Sequence, residues 1–321
     1  MKGLFSNTAI SRFFFLSGIF LLFIAAPTLG QALTAEKSSE GIEVSENGKK
    51  ILFFQTAPKS LNGKYERAGY VHPLYSLNGK VISEDMPADH PHHHGIFWAW
   101  HQIILNGKFV ADGWTSKDIS WKPTKVDWKK SKGAATIRAE LAWNLKSADA
   151  PPRSIVKENT LITIFKETDG YRIIDFDIRL KALVDGLEIG GSDNVWGYGG
   201  FSPRLTVPKD LSFTWDNKPL YPPQPVNTGV YASWVDFRGS FEGEPGAVSG
   251  VAVFPKHPRR DEPVSWILNL KSSMQNVRYP GRTPIPLSRK GLRLQYRVIV
   301  HDGKLSNETL VRLYEQYMQL K

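Results

Sequence analysis

The sequence predicts an all-β fold: one large antiparallel sandwich of two sheets, closed by a C-terminal amphipathic helix. Three observations carry this. Apolar and polar residues alternate along most of the chain from Ile51 onward, Asn-Gly and Asp-Gly pairs punctuate the runs, and a helical period appears only at the end.

The alternation is clearest where Ile174, Phe176, Ile178 and Leu180 are interleaved with Asp175, Asp177, Arg179 and Lys181, giving a strand with one core face and one wet face. The same period recurs in Ile137, Ala139, Leu141, Trp143 and Leu145, and again in Leu292, Leu294, Tyr296, Val298 and Val300. Between such runs, Asn62-Gly63, Asn78-Gly79, Asn106-Gly107, Asp169-Gly170 and Asp302-Gly303 supply the left-handed positions that tight turns require. Residues Pro203 to Pro225, rich in proline and aromatics, read as a long loop with one short strand. At the end, Ser306 is placed to cap a helix whose Leu310, Leu313, Tyr314, Tyr317 and Leu320 form an apolar stripe. No helical pattern separates the strands, which favours one sandwich over an α/β enzyme. No glycine-rich phosphate loop follows a strand, so a nucleotide cofactor has no seat.

The first 30 residues read as a secretory signal peptide. Lys2 and Arg12 precede an uncharged apolar run, Phe13 to Ala26, followed by Pro27 and small residues, with cleavage expected near Gly30 or Ala32. That run is short for a membrane span, which needs roughly 20 apolar residues; an uncleaved anchor would have to recruit residues as far as Leu33. Residues 31–321 are then expected as a single exported domain, periplasmic or extracellular, without a stable membrane span. Cysteine is absent, which excludes disulfides, a thiol nucleophile and a lipid-modified cysteine anchor. The net charge of +10 falls to +8 once Lys2 and Arg12 leave with the signal. Its mild concentration at Lys122, Lys125, Lys129, Lys130 and Lys132 reads as a solvated hairpin end, and no long basic stripe suggests nucleic acid.

Function points to histidine. Five of the chain's eight histidines lie between His90 and His101, in Asp89-His90-Pro91-His92-His93-His94-Gly95-Ile96-Phe97-Trp98-Ala99-Trp100-His101, and His72 lies just upstream. If a strand begins near His92, alternation puts His92 and His94 on the face of Ile96 and Trp98. His93 then shares a face with Phe97, Ala99 and His101.

Three readings compete for this cluster. In the first, His92 and His93 handle protons at a sugar or other polar ligand, with Asp193 or Glu188 as partner carboxylate. Trp98, Trp100 or Trp114 would then offer a ring face, and His72, Arg204, His257 and Arg282 would bind substrate. In the second, His90, His92, His93 and His101 ligate zinc, copper or iron, with His72, Glu84, Asp85 or Asp89 completing the set. In the third, the histidines form a rigid turn before a core strand. A small-molecule or glycan ligand is the expected partner; no cofactor is firmly implied, and a divalent metal enters only under the second reading.

Further unusual stretches follow. Asp193 to Arg204 is a glycine-rich aromatic loop after Glu188, Trp234-Val235-Asp236-Phe237 leads into a turn, and His257-Pro258 ends a buried strand near Tyr279-Pro280-Gly281-Arg282.

Taken in order, these motifs resemble an exported bacterial family labelled methane oxygenase PmoA, over roughly Ile42 to Met318. The resemblance rests on His72-Pro73-Leu74-Tyr75, Asp89 to Gly95, Gly197-Tyr198-Gly199-Gly200-Phe201-Ser202, Trp234 to Phe237 and His257-Pro258 with Tyr279-Pro280-Gly281. Its label implies an oxygenase with a metal. Many relatives carry arginine where this chain has His94, which leaves His90, His92 and His93 as the shared imidazoles. By fold analogy, a large two-sheet domain with a His-Pro motif also resembles the mutarotase-type supersandwich, which implies sugar binding or isomerisation. The leading expectation is therefore an exported carbohydrate-processing or carbohydrate-binding protein. A metal-dependent oxygenase and a non-catalytic glycan-binding domain stand as alternatives.

Overall fold

In the computed structural model of the chain, the described residues are Met1 and residues 33–147, 151–216, 218–220, 228–243, 246–256, 258, 264–270 and 275–320. The signal peptide, its cleavage region and His257 lie outside them.

The alternating runs become strands in chain order. The first group is β1 (Leu33–Lys37), β2 (Gly41–Glu46), β3 (Lys49–Gln55), β4 (Lys59–Leu61), β5 (Lys64–Arg67) and β6 (Tyr70–Leu74). After the histidine segment come β7 (Ile96–Trp100), β8 (Gln102–Leu105), β9 (Lys108–Ala111), β10 (Ile119–Ser131), β11 (Ala134–Leu145) and β12 (Arg153–Phe165). Then follow β13 (Tyr171–Ala182), β14 (Leu187–Gly190), β15 (Gly199–Pro203), β16 (Ser212–Trp215), β17 (Lys218–Leu220) and β18 (Thr228–Tyr231). The last are β19 (Val235–Gly239), β20 (Ser249–Lys256), β21 (Ser265–Leu268), β22 (Asn276–Arg278), β23 (Ile285–Pro286) and β24 (Leu292–His301), before helix α1 (Asn307–Gln319).

These pair into two nine-stranded antiparallel sheets. One runs β1-β2-β3-β6-β7-β15-β22-β21-β18 and the other β10-β11-β12-β13-β24-β20-β19-β16-β17. A four-stranded sheet, β23-β14-β8-β9, and the hairpin β4-β5 complete the set. Side chains from both large sheets share one apolar core: Ile42, Phe54, Trp98 and Phe201 from the first pack with Ile137, Ile162, Phe176 and Tyr296 from the second. The fold is the all-β sandwich that the alternation predicts.

The predicted wet-face pattern holds for β13, where Ile174, Phe176, Ile178 and Leu180 are buried and Arg179 and Lys181 are exposed. In β24 it holds only for the first half. From Arg297 onward every residue is buried, because α1 lays Leu310, Leu313 and Tyr317 over Ile299 on the outer face. Ser306 caps that helix as expected, its hydroxyl accepting from the Thr309 N–H at 3.2 Å. The lysines from Lys122 to Lys132 are exposed along β10, at a sheet edge, and on its turn into β11. Among its described residues, the segment expected as a loop with one strand holds β16 and β17, because Phe213 pairs with Phe237 and brings the β16-β17 hairpin onto β19.

Among the described residues no helix is long and apolar enough to cross a membrane.

Candidate functional site: an imidazole basin beside β7

The strand bearing the tryptophans begins at Ile96, not near His92. Before it the chain turns: the His90 N–H bonds the Pro87 carbonyl at 3.1 Å, and the His93 N–H bonds the His90 carbonyl at 2.9 Å. Gly95 ends the turn because β6 passes so close that a Cβ there would lie 2.0 Å from the Val71 carbonyl oxygen. The alternation expected from His92 therefore does not apply, and His94, instead of sharing the Trp98 face, packs with His93 against Phe97. Ile96, Trp98 and Trp100 point into the main core, whereas Phe97 and Ala99 point the other way, into a separate cluster with Tyr70 and Trp114.

On that second face the rings form a continuous row. Tyr65 lies 5.9 Å from His92 between ring centroids, His92 lies 4.6 Å from His93, and His93 meets Trp114 edge-on at 5.8 Å. Trp114 in turn stacks on His101 at 5.2 Å and contacts Tyr198 at 6.1 Å. His90 stacks on His93 at 4.8 Å. His93 and Trp114 are buried and form the floor, while Tyr65, His90, His92, His101 and Tyr198 are half-buried around them.

Two devices hold these imidazoles. The first is Arg204, delivered beside Gly95 because β15 pairs with β7 up to Pro203 and the Arg204 N–H bonds the Gly95 carbonyl at 2.7 Å. Its guanidinium, 2% exposed, donates to Glu84 at 3.0 Å, to both oxygens of Asp89 at 2.8 and 3.0 Å, and to His93 Nδ1 at 3.3 Å. Guanidinium can only donate, so His93 Nδ1 must be the bare nitrogen and its proton sits on Nε2. Arg204 was expected to clamp a ligand carboxylate. It clamps the chain's own instead, since its donors are occupied and its side chain is sealed from solvent.

The second device is a set of carboxylates that accept from imidazole Nδ1. Asp85 accepts from His94 at 2.9 Å, from the Tyr70 hydroxyl at 3.1 Å and from Lys59 at 2.7 Å. Asp89 accepts from His90 at 2.9 Å. Asp112 accepts from His101 at 3.0 Å, and its other oxygen takes the backbone N–H groups of Trp114 and Thr115 at 2.8 and 3.0 Å. That last pair exists because the Asn106-Gly107 turn folds β9 back on β8, so the residues flanking the hairpin, His101 and Asp112, come together. His72 stands apart, its Nδ1 2.9 Å from the Ser83 hydroxyl.

Burial and crowding favour the neutral form of His72, His92, His93 and His94. Burial, then the neighbouring His90 and His101, brings His92 down to about 4. Burial, followed by His92 and Arg204, pushes His93 far below the ordinary imidazole value. Burial also lowers His94, against the opposing bond to Asp85, and lowers His72. For Asp85, burial raises the carboxyl, but the His94 bond and charge and the Lys59 contact together outweigh it and hold it at about 2. Asp112 is likewise depressed: burial raises it, and His101 with the Trp114 and Thr115 amides more than compensates.

Other expected site residues lie elsewhere. Trp98 and Trp100 are fully buried, and the Trp100 indole donates to the Tyr279 carbonyl at 2.8 Å, so neither offers a ring face to a ligand. Asp193, 71% exposed, is paired to Arg282, 62% exposed, at 2.8 Å, rather than to an imidazole. Glu188 lies opposite Ile104 in the four-stranded sheet and lines an open cleft of about 840 Å³ with Asn106 and Arg289. The partner carboxylates at the imidazoles are Asp85, Asp89 and Asp112 instead. Asp112 and Tyr65 went unnoticed in the sequence: Asp112 reads there as an ordinary Asp-Gly turn, and Tyr65 as a strand residue.

Among the described residues no group of three or more ligating side chains, the expected set His90, His92, His93 and His101 included, is arranged to hold an ion. Their Nδ1 contacts, to Asp89 at His90, to Asp112 at His101 and to Arg204 at His93, leave Nε2 as the second ring nitrogen of each.

Fold and site together define an all-β sandwich with a carboxylate-braced imidazole basin on the outer face of one sheet. The chain belongs to a family of unknown function, DUF6807, whose model matches residues 41–315. No curated protein matches it.

Proposed function

We propose that this chain is an exported carbohydrate-binding or carbohydrate-processing protein whose ligand sits in the imidazole basin. The observation that carries this is the row of imidazoles and aromatic rings, His92, His93, His101, Trp114 and Tyr198, gathered at one partly open surface. A neutral imidazole has one donor and one acceptor, as a sugar hydroxyl has, and ring faces suit the apolar C–H surface of a pyranose. The signal peptide read in the sequence supplies the address, and a site needing neither ATP nor a nicotinamide suits it.

The acid–base group is His101. Asp112 accepts its Nδ1 proton and leaves Nε2 as the basic nitrogen, on a side chain 24% exposed. His101 Nε2 takes a proton from a sugar hydroxyl, Asp112 stabilises the imidazolium, and the proton returns to the ligand as the step closes. His92, neutral across the physiological range, orients the ligand as hydrogen-bond partner.

The test is calorimetry and product analysis of the mature chain with a panel of neutral and acidic oligosaccharides. Binding is expected, and the double variant His92→Ala with His101→Ala should lose it while keeping its melting temperature. A chain that binds none of the panel overturns the reading. A glycan that binds and is recovered unaltered makes the protein a binding module rather than an enzyme.

A further inference from the structure

Tyr65 is the ring at the far end of the basin from Tyr198, and its backbone is left-handed, at φ 56°. Among the described residues with positive φ other than glycine, the rest are Asn, Asp, Ser or Met, so Tyr65 is the one aromatic side chain held in that conformation. A bulky residue adopts it only where its surroundings over-determine the backbone, and such positions gather at ligand sites.

The hairpin that carries Tyr65 is pinned without it. On β4, Lys59 pairs with Asp85 at 2.7 Å. Opposite it on β5, buried Arg67 donates to the Gly113 carbonyl at 3.2 Å and the Trp98 carbonyl at 2.5 Å, and its guanidinium lies 4.1 Å over the Trp121 ring. Next to Arg67, Glu66 reaches Lys146 at 3.4 Å. Tyr65 makes one ring contact, with His92, and keeps part of its surface open. The bend at Tyr65 therefore serves to present a ring to the basin rather than to hold the hairpin.

We propose that Tyr65 is the specificity-determining residue of the basin, stacking on the C–H face of a pyranose ring and so selecting cyclic sugars over linear polyols. This rests on the carbohydrate reading above. A flat ring beside neutral hydrogen-bonding imidazoles distinguishes a ligand with a rigid apolar face from one with the same hydroxyls on a flexible chain.

The experiment compares the mature wild type with Y65G and Y65F. The probes are xylo-, cello-, manno- and galacto-oligosaccharides, with sorbitol as the linear control, and melting is recorded without ligand. Wild type is expected to bind at least one oligosaccharide and at least tenfold more weakly sorbitol. Y65G should lose tenfold or more in oligosaccharide affinity, with its melting temperature unchanged to within about 3 °C or raised, because glycine accepts the left-handed backbone. Y65F should restore most of the affinity. Y65G binding as wild type does, or losing melting temperature in step with affinity, overturns the proposal while leaving the basin reading intact. A wild type that binds none of the oligosaccharides overturns the reading and this proposal together.

Discussion

The molecule contains two kinds of aspartate–histidine pair, and they do opposite things. In the second large sheet, His301 Nε2 lies 2.9 Å from Asp236 Oδ1, with both side chains 0% exposed. His301 Nδ1 accepts the Gly303 N–H at 3.1 Å, while Arg238 donates to the second oxygen of Asp236 and to the Leu305 carbonyl. Every atom of that pair is spoken for. At the basin, His101 and Asp112 share the same contact at 3.0 Å, but their side chains are 24% and 18% exposed and His101 keeps one nitrogen uncommitted. A pair saturated at both ends and sealed from water is a structural strut, whereas one that leaves a basic nitrogen at the surface can exchange protons with a ligand.

The strut should break hardest. Asp236→Ala leaves His301 and the Arg238 guanidinium without their carboxylate, and is expected to cost about 3–5 kcal/mol in urea unfolding, with ligand binding retained by the folded fraction. A loss under about 1 kcal/mol would erase the distinction between the two pairs.

Next comes pH. Imidazoles held neutral in the fold protonate first in the unfolded chain, near the ordinary 6.5, and His92 does so in the fold only at about 4. The folded protein therefore binds fewer protons between those values. Stability is fully present above about pH 6.5 and declines as pH falls toward 4, by on the order of 3 kcal/mol from His92. His72, His93 and His94, lowered in the same direction, steepen that decline. Urea titrations from pH 8 to pH 4 measure it, and a flat profile would mean that these imidazoles take up protons in the fold at the same pH as in the unfolded chain.

The smallest effect on stability belongs to the open pair. Asp112→Asn retains acceptor capacity for the Trp114 and Thr115 amides, so unfolding should shift by less than about 1 kcal/mol. Turnover of any sugar substrate should nevertheless fall by about 10²-fold or more, since the imidazolium loses its counter-charge. Equal losses of stability and turnover would place this pair with the strut.

Much of the fold was legible because its signals are local. Period-two burial in β11, β12 and β13, the Asn-Gly turns and the Ser306 cap each depend on residues within a few positions of one another. The site was legible only as a concentration of histidine. Its partners were not, because Arg204 reaches Glu84 across 120 positions and Asp89 across 115, and no periodicity encodes such a meeting. Trp98 and Trp100, the most conspicuous aromatics beside the cluster, fall on the core side of β7, where the opposing sheet covers them.

The sequence by itself thus determined the fold class, the strands and turns that build it, and the stretch in which function would lie, since hydrophobic alternation and turn chemistry act over short range. Tertiary structure alone decided which imidazoles face solvent, which nitrogen of each is bare and which carboxylates brace them. Those properties depend on burial and on contacts that form only when β7, β15 and the β8-β9 hairpin have come together.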